Sequence, residues 1–357
     1  MILPMIVLGL ESSCDETAAA VVRDGKELLS NVVATSMDLH AAYGGVVPEI
    51  AARSHIEAVI PVIKQALSDA NCTWDDIDAI AVTYGAGLGG SLLVGVLAAR
   101  TLAIIKGKPL YAINHVEGHV YANFLTHTSL PAYTLPQSQP TFPLLALIVS
   151  GGHSQLALFD DHFSYRLLGQ TQDDAIGEAF DKVAKIIGLP YPGGPNVSKK
   201  ALEGDAHAFL LPKARLQGKY DFSFSGLKTA VLRRAQELVG HDYSLPSSAL
   251  PSMLSESQKA NIAATFQRVA VETVVDKAML AFEEFKPASV VIAGGVAASP
   301  ELRRQLADRL PIAIAYTDPK LCTDNGAMIA TLGCFKAKLG AQPVDPYKLA
   351  IQPNLSM

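Results

Sequence analysis

Cysteine is scarce in this chain, and so is an excess of positive charge. The 357 residues hold four cysteines, Cys14, Cys72, Cys322 and Cys334, and no Cys-x-x-Cys pair. That usage excludes a disulfide framework and a structural zinc site, and it fits a reducing compartment, the cytoplasm. Lys plus Arg number 29 against 34 Asp plus Glu, a formal charge of -5. A uniformly basic nucleic-acid binder is excluded, so any RNA contact must use a local patch or a partner. No Gly-x-x-x-x-Gly-Lys-Ser/Thr loop occurs, which removes the P-loop class. No Gly-x-Gly-x-x-Gly stands at the first turn, which disfavours a dinucleotide fold. No basic segment precedes the apolar N-terminus, and Glu11 interrupts it early, so no targeting segment is expected. The longest uncharged stretch, Ala79 to Ala99, is long enough to span a bilayer. Its Gly85, Gly87, Gly89, Gly90 and Gly95 read instead as a strand, a glycine loop and a helix, with no membrane involved.

What is present is a hydrophobic, ordered chain: 49% hydrophobic and 18% charged residues exclude disorder. The length exceeds the roughly 250–300 residues of one core, so two domains are expected. An apolar run, Ile6–Leu10, leads through the polar turn Glu11-Ser12-Ser13-Cys14-Asp15-Glu16-Thr17 into Ala18–Val22, which reads as two strands. Ile50–Ala70 has helical apolar spacing at Ile56, Val59, Ile60, Ile63 and Leu67. Ile77–Thr83 reads as a strand, Leu92–Ile105 as a buried helix and Leu110–Ile113 as a strand. Thr126–Pro140 reads as a linker or long loop.

The opening pattern then recurs. Leu144–Val149 is a strand, Ser150-Gly151-Gly152-His153-Ser154 a tight turn and Gln155–Phe159 a strand. Ser289–Ala293, Gly294-Gly295 and a helix to about Leu310 echo the earlier strand, glycine loop and helix. An internal duplication follows: two α/β lobes with a central cleft. The terminal helix, Thr323–Leu339, is expected to return to the first lobe. The lobes are expected at 1–125 plus 326–357 and at 141–325, the second with a helical insertion.

Three glycine corners, at Gly89-Gly90, Gly151-Gly152 and Gly294-Gly295, allow backbone N–H groups to approach an anion or simply make turns. Asn114-His115-Val116-Glu117-Gly118-His119 follows a strand, with Asn114 as N-cap and Glu117 closing a capping box. His115 and His119 sit one turn apart, about 40° around the axis, so both imidazoles can reach one metal ion. A zinc protease places its Glu one residue after the first His. Here Glu117 is at the second, about 180° from the pair, so the protease base is missing. A third ligand must come from elsewhere. Asp324 is one candidate, and it is equally a candidate N-cap for the last helix.

Asp15 and Glu16 could hold a metal, orient water or act as a base, or be solvated turn residues. Asp181 could pair with Lys185 or bond ribose hydroxyls. Ser225 reads as a helix N-cap. Basic clusters at Lys199-Lys200, Lys213–Lys219, Arg233-Arg234 and Arg303-Arg304 read as solvated surface, with RNA contact open to the first three if they share a face.

Taken together, Glu11–Thr17, Tyr43–Glu49, His115–His119, Val149–His153, Gly177–Lys182, Tyr191–Pro195, Phe222–Thr229 and Cys322–Ala330 resemble the TsaD family, the tRNA adenosine threonylcarbamoyltransferases, formerly called glycoproteases. The resemblance covers nearly the whole chain in order. It implies a duplicated actin-like, Hsp70-like ATPase fold. It also implies transfer of threonylcarbamoyl from threonylcarbamoyl-AMP to the exocyclic amine of the adenosine beside the anticodon, in tRNAs reading codons that begin with A. By the same resemblance His115, His119 and Asp324 hold one divalent metal, iron as Fe(2+), with zinc or magnesium as alternatives. Ile148, Val149, Ser150, Gly151, Gly152, Asp181 and Gly194 would line the adenylate site. The expected partners are tRNA, the shorter paralogue TsaB and the ATPase TsaE. Asp15 or Glu16 would take the amine proton. Two positions depart from the family pattern: Ser299 replaces an Asn, and Gly85-Ala86-Gly87 replaces Gly-Pro-Gly. A sugar kinase or carbamoyltransferase on the same scaffold, or a nucleotide-gated scaffold protein, are the competing readings.

Overall fold

The computed structural model describes residues 4–357. Three strands open the chain, β1 (Ile6–Glu11), β2 (Glu16–Arg23) and β3 (Glu27–Thr35). The short α1 (Met37–Ala41) and the long α2 (Pro48–Asp69) follow. Next come β4 (Ala79–Gly85), α3 (Gly89–Lys106), β5 (Leu110–Asn114), α4 (His115–Tyr121) and the two-residue β6 (His127–Thr128). The sheet order is β5-β4-β1-β2-β3-β6. The first three strands form an antiparallel meander, and β4 runs parallel to β1.

A second sheet repeats this plan. β7 (Leu144–Val149), β8 (Ser154–Asp161) and β9 (Ser164–Gln170) form an antiparallel meander. The helices α5 (Ile176–Ile187), α6 (Gly193–Ala201), α7 (Ser225–Leu238), α8 (Leu250–Met253) and α9 (Glu256–Phe285) are inserted before the next strand. Then β10 (Ser289–Ala293) joins parallel to β7, and α10 (Pro300–Arg309) follows it. The order β10-β7-β8-β9 matches β4-β1-β2-β3. The fold is mixed α/β, and its two sheets repeat one strand order.

The last helix, α11 (Gly326–Lys338), packs on β1 and β2. Period-2 alternation explains how β1 is buried on both faces. Leu8 and Leu10 join the apolar cluster with Val59 and Ile63 of α2 and Val96 and Ala99 of α3. Val7 and Gly9 face α11 instead. A Cβ on Gly9 would lie 2.3 Å from the Ala330 amide nitrogen, so only glycine lets the helix backbone approach this closely.

Two compact units result. One holds the residues up to Pro140 together with Ala315–Met357, the other Thr141–Ile314. Residues 315–325, expected with the second lobe, fall in the first unit. So does the 126–140 segment expected as a linker. There β6 pairs with β3, Thr134 N–H donates to Asp318 at 2.8 Å, and Lys320 Nζ donates to the Ala132 carbonyl at 2.9 Å. Two helices differ from their sequence reading. In α2 the buried face runs Ala51, His55, Val59, Val62, Ile63, Ala66 and Leu67, while Ile56 and Ile60 are exposed. In α3, read as buried, Leu93, Leu97, Ile104 and Ile105 are exposed. Apolar content alone cannot say which side of such a helix meets the sheet. By length and apolarity α3 would suffice to cross a membrane, and it packs here on β4 and α2.

Candidate active site

The histidine pair is built where β5 ends. Asn114 caps α4, its Oδ1 accepting from Val116 N–H at 2.8 Å and Glu117 N–H at 3.3 Å. The reciprocal arm of the expected capping box is not made: the buried Glu117 carboxylate is raised by desolvation, with Lys336 the cation that opposes it. Glu117 therefore stands off the histidine face. His115 and His119 lie with ring centres 4.7 Å apart at 77°.

Asp324 joins them from some 200 residues further along the chain. Its Oδ1 is 3.2 Å from His119 Nε2 and 3.6 Å from His115 Nε2, and one ligand atom from each residue falls within 4.8 Å of the others. Asn325, not Asp324, caps α11, accepting from Met328 N–H at 3.0 Å. That resolves the alternative left open by the sequence and leaves the Asp324 carboxylate to face the rings.

The set fits a cation. His119 is buried, and neither of its ring nitrogens makes a hydrogen bond among the described residues, although Nε2 faces Asp324 Oδ1 at 3.2 Å. Such atoms are costly unless something binds them. Two imidazoles and a carboxylate are the donor set of a borderline divalent ion. Behind the pair, His115 Nδ1 lies 3.2 Å from Glu11 Oε2 and 3.1 Å from Ser13 Oγ. A proton on Nδ1 directed at Glu11 turns the Nε2 lone pair toward the Asp324 side. Burial would lower the His115 pKa, but Asp324 and Glu11 push it up to about 9 in the metal-free protein.

Asp15 and Glu16 join the same cluster. Burial first, then the charges of Asp324 and Asp15, push Glu16 up to about 10, and its side chain hydrogen-bonds to Asp15. The turn that carries them is anchored at each carbonyl. Ser13 O accepts from Leu88 N–H at 2.8 Å, Cys14 O from Ser91 Oγ at 3.1 Å, and Asp15 O from Ser36 Oγ at 2.8 Å. His55, fully buried on α2, bridges Cys14 O at 3.0 Å and Thr17 Oγ1 at 2.7 Å. Burial, then the Asp15 and Asp324 charges, raise the Cys14 thiol, so it stays protonated.

Sequence reasoning missed Glu11 as a group that orients His115, and missed His55 altogether. A carboxylate ending an apolar strand was the available signal for Glu11. It also missed the C-terminal tail. Asn114 Nδ2 donates to Ser356 O at 3.0 Å, Gly87 N–H to Pro353 O at 3.0 Å, and Arg100 fans across the carbonyls of Pro346, Tyr347 and Leu349.

The second unit holds the predicted adenylate residues. Ile148 and Val149 are fully buried in β7, so their side chains are core. Ser150 N–H is taken by His153 O at 2.8 Å, which closes the turn. Gly151 and Gly152 are the exposed tip of the turn. Gly294 has φ +87, and a Cβ there would sit 2.4 Å from Val149 O, so the β10 corner requires glycine beside this turn. A 3-10 turn, Gly295–Ala298, separates it from α10. Ser299 is the N-cap of α10, accepting from Leu302 N–H at 3.4 Å.

Asp181 makes no ion pair with Lys185 among the described residues. Its Oδ1 accepts from Gly193 N–H at 2.6 Å, and it bonds Gly194 N–H as well, so it caps α6 and fixes the Gly193-Gly194 turn. Burial raises its pKa against those two amides. Ser225 is not its own helix's cap: Asp173 reaches over to accept from Phe224 N–H at 2.8 Å and Ser225 N–H at 3.3 Å.

Residues 27–331 match the family model of TsaD, tRNA N6-adenosine threonylcarbamoyltransferase. The tRNA N6-adenosine threonylcarbamoyltransferase of Thermomicrobium roseum is 49% identical over 345 residues, 95% of this chain and 93% of that protein. The enzyme of the same name from Desulfitobacterium hafniense is 49% identical over 355 residues, 98% of this chain and 97% of that protein. Among solved structures, the component A of Acidaminococcus fermentans (R)-2-hydroxyglutaryl-CoA dehydratase covers 95% of this chain and 100% of its own, at 15% identity and a TM-score of 0.48. With its family model spanning most of the sequence and near-full-length relatives at this identity, the chain belongs to the TsaD family of tRNA N6-adenosine threonylcarbamoyltransferases.

Proposed function

We propose that the family's transfer of threonylcarbamoyl to the N6 amine of a tRNA adenosine uses, in this chain, one divalent cation held by His115, His119 and Asp324. The donor is threonylcarbamoyl-AMP, and the acceptor is the adenosine beside the anticodon in tRNAs reading codons that begin with A. The convergence of His115, His119 and Asp324, with ligand atoms within 4.8 Å of one another and no hydrogen bond to the buried His119 ring among the described residues, carries this reading. The donor set suits Fe(2+), with zinc as the closest alternative. When bound, such a cation supplies a Lewis acid for the carbamate carbonyl or the phosphate.

The chain's own residues do the rest. Glu11 and Ser13 hold the His115 ring by its Nδ1. Glu16, pushed up to about 10 in the metal-free protein by burial and then by the Asp324 and Asp15 charges, hydrogen-bonds to Asp15. Asp15 is the proposed proton acceptor. The amine nitrogen forms a bond to the carbamate carbon, the bond from that carbon to the phosphate oxygen breaks, and AMP leaves with the electron pair. The amine proton passes to Asp15. Adenine's amine is a poor nucleophile, so much of the acceleration must come from positioning. The exposed Gly151-Gly152 tip receives the phosphate, and Asp181 with Gly194 borders the ribose.

A TsaB-like paralogue and a TsaE-like ATPase are the proposed protein partners. The exposed Ile56 and Ile60 of α2 and Leu93 and Leu97 of the adjoining α3 support a surface for one of them. We place the protein in the cytoplasm, with no membrane contact. The test supplies purified protein with threonylcarbamoyl-AMP and unmodified tRNA, before and after chelation. Wild type should hold about one cation per chain and transfer, and His119→Ala should lose both, its rate falling by roughly 100-fold or more. Transfer by the metal-free protein at the wild-type rate sinks the proposal.

A further inference from the structure

The structure separates the basic clusters of the sequence into paired and available cations. Lys200 meets Glu203 and Glu256, each at 2.8 Å. Lys213 meets Glu272 at 3.0 Å and Asp276 at 2.8 Å, and Lys219 is paired with Glu284. Arg304 lies between Glu301 at 2.7 Å and Asp308 at 2.8 Å. Lys199, Arg215 and Arg233 are exposed and have no carboxylate partner among the described residues, and of these Arg233 has its guanidinium 5.4 Å from the centre of the Tyr243 ring.

Arg233 lines a groove of about 510 Å³ along one face of α7, with Ser225, Thr229 and Arg234 beside it and Leu210-Leu211-Pro212 opposite. The groove is built rather than merely open. Glu237 pairs with Arg234 at 3.1 Å and accepts from Tyr243 Oη at 3.1 Å. Arg234 also stands 5.3 Å from the centre of the Phe209 ring. One carboxylate thus fixes Arg234 and Tyr243 together, and the five donors of Arg233 stay free for a ligand. Two guanidinium groups against one carboxylate leave the lining net positive. Asp173 accepts from the Phe224 and Ser225 N–H groups where α7 begins, and the arginine face supplies the positive charge of the groove.

A free guanidinium beside an exposed tyrosine ring, in a groove long enough for several atoms of backbone, is the chemistry that recognises a single-stranded nucleic acid. We propose that this groove seats a stretch of the substrate tRNA, with Arg233 on a phosphate and the outer face of Tyr243 against an unstacked base. The proposal builds on the tRNA-transfer activity and adds the place where the second unit grips its substrate. A chain with an overall negative charge meets RNA through a local patch or a partner, and this groove is such a patch.

The experiment measures equilibrium binding of unmodified tRNA at several salt concentrations, and steady-state transfer, for the full chain and for Arg233→Ala, Arg233→Lys and Tyr243→Ala. Arg233→Ala should raise Kd and the tRNA KM by roughly five- to tenfold and lower the salt slope by about one. Arg233→Lys should recover most of the slope, and Tyr243→Ala should raise Kd by roughly tenfold. Metal content and kcat at saturating tRNA should match wild type in all three. Kd and salt slope unchanged in Arg233→Ala overturn the proposal, as does a fall in kcat with KM unchanged. Wild-type modification of tRNA in the same assay shows that such a failure concerns the groove and not the transfer activity.

Discussion

Replacing Glu11 by Gln isolates what its buried charge does for the histidine pair. Glu11 is 1% exposed, and three groups converge on its carboxylate. Ser13 N–H donates to Oε1 at 2.5 Å, Thr83 Oγ1 donates to Oε2 at 2.5 Å, and His115 Nδ1 lies 3.2 Å from Oε2. A carboxylate accepts from all three. Burial alone would raise the pKa of Glu11, but the His115 ring and the Thr83 hydroxyl hold it below the usual carboxylate value. Gln has the same shape with one oxygen exchanged for NH₂. With that nitrogen at the Oε1 site, it opposes the Ser13 N–H. At the Oε2 site, His115 must give up its Nδ1 proton, and the proton then occupies Nε2, the ligating atom. The first choice leaves a buried donor unsatisfied at about 1–3 kcal/mol. The second blocks the metal, so Glu11→Gln should weaken metal affinity roughly 10- to 100-fold. Chelator competition measures the affinity, and thermal unfolding of the metal-free protein measures the stability. Thr83→Val leaves the His115 tie in place and should cost less than about tenfold in affinity. Metal affinity of Glu11→Gln within twofold of wild type refutes this reasoning.

Metal-free protein should lose stability as pH rises. His115 is held at about 9 against an unfolded 6.5, so its contribution is complete below pH 6.5 and fades as pH climbs through 9. Glu16, neutral in the fold until about 10, competes with an unfolded carboxylate that ionises above 4.5, which acts in the same direction. Thermal melts at pH 6.5 and 9 check this, and a Tm that holds or rises contradicts it. Asp15→Ala should leave adenylate binding intact and slow transfer by roughly 100-fold or more, read in single-turnover assays; unchanged transfer excludes it as the proton acceptor. Arg100→Ala removes the donors at 2.5, 2.8 and 3.2 Å that hold the C-terminal tail, and should cost about 2 kcal/mol in denaturant unfolding. Arg100→Lys should recover only part, because an ammonium cannot fan across three carbonyls. Asp181→Ala uncaps α6 and should cost about 1 kcal/mol while weakening adenylate binding; full stability with unchanged binding would exclude both roles.

The features legible in the sequence were those written in local spacing. Strand–turn–strand at Ile6–Val22 and again at Leu144–Phe159 gave the duplicated sheets, because alternation and turn chemistry act over a few residues. The i, i+4 spacing of His115 and His119 put both rings on one face for the same reason. Asp324 could be named, but its alternative as an N-cap fell only when Asn325 was seen to cap α11. Contacts far apart in sequence were not legible. Glu11 reaches His115 across 104 positions, and Asn114 reaches Ser356 across 242. Polar partners were misjudged where two local solutions competed. Asp181 had Lys185 one turn away, yet the N–H groups of Gly193 and Gly194 offered a buried carboxylate better-placed donors. The exposed apolar residues of α3 escaped the sequence reading because apolar residues surround that helix, and spacing marks one buried face only when the other is polar; in α2, Ile56 and Ile60 lie on an outer face shared with Arg53, Glu57 and Lys64.

Anomalous scattering from crystals of the metal-loaded protein, collected above and below the iron edge, tests the central assignment most directly. A single strong peak should lie within coordination distance of His115 Nε2, His119 and Asp324. A peak at any other group of ligands, or none in protein that transfers threonylcarbamoyl to tRNA, contradicts it.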